Sequence, residues 1–249
     1  MTRFEFPLRW PVLLSMALMV WMASFSHEFT HHLTAWLVCG DVGRMSLNRF
    51  VLAGGCTGPW PISTATGPAL SYLMMWLGAW MVWRGRKPLL GLALVVAYVP
   101  FLRLLTAAMG GGDEGLLMRL WSPMQARWMA PVLVLALVLP PMLVCYRALA
   151  NRRPGWMLLA AFLLPILPVL SIPAADSGWY GDWLKGMTLL PHVFGVPHSV
   201  LLVHGLLIGC CLLALAWFRP GVWHGGTMAS NETMDAPHES EPGLPAGAP

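Results

Sequence analysis

His27, Glu28 and His31 form the segment HEFTH inside a long apolar run. On a helix, residues four apart stand on one face a turn apart, so both imidazoles can reach one metal ion. The glutamate beside the first histidine does not bind the ion. In such sites it takes a proton from metal-bound water and passes it to a leaving group. Three ionisable residues within five positions of an apolar helix are costly and are usually there for function. The structural alternative is a polar patch packed against neighbouring helices.

A catalytic zinc site has three protein ligands and one open position. The best candidate for the third is Asp113, in the segment GGGDEG. Its glycines allow close backbone approach, and a carboxylate suits zinc. Glu114 is adjacent and could substitute; an exposed acidic turn is the plain alternative. His192, His198 and His204 are weaker rivals, and His204 reads more readily as a bonded core histidine. His32 points about 100° away from His31 on a helix and reads as support or packing. Arg103 either pairs with a site carboxylate or snorkels.

The elements that must position these groups are membrane helices. Of 249 residues, 57% are hydrophobic and 10% charged, against about 25% charged in a soluble domain. Six segments approach the roughly 20 apolar residues of a spanning helix: Pro11 to Val38, Gly67 to Trp83, Leu89 to Met109, Trp128 to Leu149, Trp156 to Ile172 and Val196 to Phe218. The fifth is short and interrupted by Pro165 and Pro168. The first apolar run continues too far for a cleaved signal peptide and reads as a retained helix. The expected fold is an all-α polytopic membrane protein, with about six transmembrane helices and a short β-like loop after the first. The lipid bilayer is the expected partner. The net charge of +4 is small and its basic residues are dispersed, so no nucleic acid is expected.

Lys and Arg number nine on the side of the N-terminus and five on the other, Arg103 excluded. That bias favours both termini inside. In the Gly40 to Ser63 loop, Met45, Leu47, Phe50, Val51 and Leu52 suggest short strands, and Gly54-Gly55 a turn. Cys39 and Cys56 flank this loop and would pair if it faces an oxidising compartment; otherwise they are small apolar filler. The stretch from Pro173 to Val196 reads as a surface segment. Three regions follow: a metalloprotease-like membrane core with the zinc site at 1–127, further transmembrane helices at 128–218, and a disordered tail at 219–249.

The chain resembles the site-2 protease family of intramembrane zinc metalloproteases. The likeness lies in HEFTHHLTAWLVCGDVGRMSL, in the Gly-Pro segment TGPALSYL at Thr66 to Leu73, and in LRLLTAAMGGGDEG at Leu102 to Gly115. Order and spacing agree over about residues 10–120. The resemblance implies a zinc metalloendopeptidase of intramembrane type acting on a membrane-protein substrate, with His27, His31 and Asp113 as Zn²⁺ ligands and Glu28 as catalytic base. Ser71 stands where the family often has an Asn and would hydrogen-bond a substrate backbone. A bacterial inner (plasma) membrane is the expected location. The competing readings are a metal-handling or transport membrane protein and an inactive protease-like scaffold.

Overall fold

The computed structural model describes residues 3–217, apart from 42, 47–48, 53, 164–166, 168–169, 172–191 and 194. The tail, Lys185, Leu47, Pro165, Pro168 and most of the expected surface segment lie outside the described residues. The rest is mostly helical. Helix α1 spans Trp10–Cys39, opened by Pro11 and closed by Gly40 at φ 70°. Two short strands follow, β1 at Arg44–Met45 and β2 at Phe50–Val51, paired antiparallel with Met45 opposite Phe50. Gly54-Gly55 form a turn later in the loop, as the sequence suggests.

Helix α2 spans Pro61–Arg84 and ends at Gly85, φ 68°. It therefore begins six residues before Gly67, where the sequence suggests a start. Pro61 supplies the preset φ of a first helical position, and Pro68 lies inside the helix. Next come α3 at Pro88–Ala97 and α4 at Pro100–Ala108. One apolar run thus carries a break. Val99 adopts φ 44°, which a β-branched residue rarely tolerates, and Pro100 has no N–H to continue a ladder. The break separates the apolar α3 from α4, which carries Arg103 and Thr106 on one side. Helix α5 (Gly112–Trp121), α6 (Ala126–Ala148) and α7 (Pro154–Leu163) follow. A strand pair, β3 at His192–Val193 and β4 at Val196–Pro197, leads into α8 at His198–Trp217.

The main core is one apolar cluster. Val12, Met16 and Val20 of α1 meet Met75 and Val82 of α2, Leu89, Leu92 and Val95 of α3, and Val134 and Val138 of α6. It draws on both sides of residue 127, so α6 belongs to the same packed body as α1 to α5. Gly78 and Gly91 let α2 and α3 touch: a Cβ on either would lie 2.5 Å from the other's carbonyl oxygen. Small residues serve close helix crossings in this way. A second, smaller cluster joins Met45 of the hairpin to Val196 and Val200, with Trp21 and Phe25 of α1 packed on it.

Two ends of the bundle are fixed by hydrogen bonds and a disulfide. At one, Phe4 exchanges backbone bonds with Ala148 and Ala150, and the Phe6 N–H donates to Asn151 Oδ1 at 2.8 Å. At the other, Cys39 and Cys56 form a disulfide with Cα atoms 5.0 Å apart. The loop cysteines are therefore a staple between the end of α1 and the approach to α2, not apolar filler.

Among the described residues, three helical stretches are long and apolar enough to cross a membrane: Trp10–Cys39, Pro88–Ala108 and Ala126–Ala148. Leu73 and Trp76 on α2, Val132 on α6, and Leu202 and Leu206 on α8 remain exposed. So many large exposed apolar side chains are compatible with a membrane protein. The sequence suggests about six spans. Helix α2 is long but is not among the three; Ser63, Thr64, Thr66 and Ser71 make its first half polar. The described part of α7 is only ten residues.

Candidate metal centre

Helix α1 holds His27 and His31 one turn apart. Asp113 reaches them from the first turn of α5. Gly110 and Gly112, at φ 75° and 71°, make the tight connection from α4 that a residue with a Cβ would resist. His27 Nε2 lies 3.0 Å and His31 Nε2 3.2 Å from Asp113 Oδ2, and the two Nε2 atoms are 3.1 Å apart. These three atoms are the group able to hold a metal ion among the described residues. Ligands at adjacent corners of a tetrahedron, with bonds of about 2.0–2.1 Å, stand about 3.3 Å apart. The triangle is close to that spacing.

Each imidazole is oriented from behind. His31 Nδ1–H donates to the Ser63 carbonyl at 2.6 Å. Its neutral tautomer then turns an Nε2 lone pair towards the Asp113 carboxylate. Lone pairs facing each other at 3.2 Å repel, and a cation between them removes the repulsion. A backbone carbonyl on the second ring nitrogen is the usual support of a metal-bound histidine. Pro68 interrupts the α2 ladder within a turn or so of that carbonyl.

His27 Nδ1 faces Ser71 Oγ at 3.0 Å. Ser71 donates to the Gly67 carbonyl at 3.0 Å and accepts from Arg103 Nη2 at 2.7 Å. Its remaining lone pair suits a proton on His27 Nδ1. Arg103 Nη2 also lies 2.8 Å from His27 Nδ1, but donation there requires the opposite tautomer. A cation at Nε2 selects the Ser71 bond, since one ring nitrogen must keep the proton. Ser71 is fully buried and its hydroxyl is committed to this network. It orients a histidine and does not offer itself to a substrate backbone.

Gly67 explains how closely α2 approaches. A Cβ there would collide with His31 Nε2 and lie 2.8 Å from His27 Cε1. The imidazoles occupy the space a side chain would fill.

Asp113 and Glu114 diverge, as neighbours on a helix must. Glu114 is buried and turns away from the triad. It accepts from Arg103 Nη1 at 2.9 Å and from Tyr72 Oη at 2.6 Å. Asp113 is the carboxylate on the histidines.

Glu28 lines a cavity of about 350 Å³ together with His31, Asp113, Phe50, Trp60 and Ser63. The hairpin forms one wall. The Phe50 ring stacks over His31 with centroids 6.2 Å apart and meets His32 edge-on at 5.8 Å. His32 is buried and lies outside the triad. His204 is buried against Phe25, with ring centroids 3.9 Å apart, and lies outside the triad. Its Nε2 has no hydrogen-bond partner among the described residues. His198 is not in the triad either, and the side chain of His192 lies outside the described residues.

The sequence leaves the role of Arg103 open; here it pairs with Glu114 and braces Ser71. Tyr72 and the Ser63 carbonyl escape sequence reasoning. Tyr72 directly follows Ser71 and looks like an apolar helix residue, and a carbonyl carries no side-chain signal. Searches of protein-family models, of curated proteins and of solved structures found no match to this chain.

Proposed function

We propose that the protein is a membrane-embedded zinc metalloprotease of the site-2 type, hydrolysing peptide bonds of membrane-protein substrates. The observation that carries this reading is the convergence of His27 Nε2, His31 Nε2 and Asp113 Oδ2 beside a cavity that Glu28 also lines. Zn²⁺ bound there would bring the pKa of a coordinated water towards about 7 and polarise a carbonyl. Glu28 accepts the proton of the attacking water and returns it to the leaving amine. His31 and His27 would hold the ion through Nε2, oriented by their bonds to the Ser63 carbonyl and Ser71. The edge of β2 offers backbone groups to an unwound substrate strand. The reading includes about six crossings of a bacterial inner membrane, α2 and the C-terminal segments completing the three apolar spans.

A metal transporter could use the same histidines, but it has no need of Glu28; a relic scaffold needs neither metal nor Glu28. The proteolytic reading predicts that membrane proteomes of cells carrying wild-type or Glu28→Gln protein differ in a few membrane proteins that accumulate uncut in the variant. Identical proteomes under every growth condition tried would remove its support.

A further inference from the structure

The triad sits near one end of its helix. His31 is eight residues from Cys39, about 12 Å at 1.5 Å per residue, whereas His27 is seventeen residues, about 26 Å, from Trp10. The end it is near carries the Cys39–Cys56 disulfide, the hairpin and the Gly110 to Gly112 turn. The far end gathers the N-terminal segment and the loop after α6, tied together through Phe4, Ala148, Ala150 and Asn151.

Two unrelated properties assign these ends to compartments. Disulfides persist on the oxidising side of a membrane and are rare in the cytosol. Lys and Arg concentrate on the cytoplasmic side, and Arg3, Arg9, Arg147, Arg152 and Arg153 belong to the far end. Redox chemistry and charge asymmetry agree: the stapled end is outside.

We propose that the metal site opens to the oxidising, extracytoplasmic side of the membrane. Combined with the proteolytic reading, on which this part rests, the substrates are membrane proteins whose scissile bond lies in the outer half of the bilayer or just beyond it. Hydrolysis adds one water across that bond, and the new end of the released fragment emerges outside. The staple holds the hairpin, and with it Phe50, over His31 on that side.

The test uses the full chain in intact cells whose outer barrier has been opened. In a Cys145→Ser, Cys210→Ser, Cys211→Ser background, a membrane-impermeant maleimide should not label the protein. After an impermeant reductant it should label Cys39 and Cys56. A second pair of variants keeps the disulfide closed. Arg49→Cys, exposed in the hairpin, should be labelled from outside, and Arg86→Cys, after α2, only once the inner membrane is permeabilised. Labelling of Arg86→Cys from outside, with Arg49→Cys protected, would overturn the proposal, as would free Cys39 and Cys56 thiols reached only after lysis. The same pattern is expected in Glu28→Gln, so failure of the sidedness and failure of the proteolytic reading are read separately.

Discussion

Arg103 and the buried Glu114 form an ion pair, Nη1 to Oε1 at 2.9 Å, one residue along the chain from the carboxylate that meets the histidines. The adjacent acids therefore do different work. Asp113 closes the triangle with His27 and His31, and Glu114 neutralises the guanidinium that braces Ser71.

This division separates two variants. Asp113→Ala should lose the metal while keeping the fold. Glu114→Ala leaves the half-buried Arg103 guanidinium without its counter-charge, which destabilises the fold, so it should lower the unfolding temperature of the detergent-solubilised protein. Metal analysis and thermal unfolding on the same samples check this. A Glu114→Ala protein that is fully stable yet metal-free would reverse the assignment.

Gly67→Ala places a methyl group among the imidazoles of His27 and His31. One ring must move, and metal affinity should fall by about tenfold or more, as when supports of metal ligands are disturbed. Competition with a chromogenic chelator measures it. Gly85→Ala, at the far end of α2, tests for a general glycine effect and should leave metal affinity unchanged.

Reduction of Cys39–Cys56 releases a loop of 17 residues. Closing a loop of that size stabilises by about 3 kcal/mol in the chain-entropy picture. The oxidised protein should therefore unfold at a higher temperature than the reduced one, and Cys39→Ser should show no such difference. Equal unfolding temperatures for the oxidised and reduced wild type would contradict the staple.

Much of the site is readable in the sequence because a four-residue histidine spacing fixes a helical face without reference to the rest of the fold. Asp113 is readable for a similar reason: a glycine-flanked acid at the end of an apolar run has few structural uses. The choice between Asp113 and Glu114 is not readable. It depends on where α5 begins, and that is set by the Gly110 and Gly112 conformations and by Arg103. The broken third run also hides, since Val99-Pro100 reads as continuous apolar sequence until the positive φ is seen. The cysteine pairing stays open in the sequence because a separation of 17 residues says nothing about Cα proximity. The hairpin brings that proximity.

The account stands or falls on Glu28. Purified wild-type and Glu28→Gln proteins, each assayed for bound zinc and for cleavage of a membrane-protein substrate found by the proteome comparison, give the most direct measurement. Both should hold about one zinc per chain, and only the wild type should cut. Undiminished cleavage by zinc-loaded Glu28→Gln protein would contradict the assignment of Glu28 as the base.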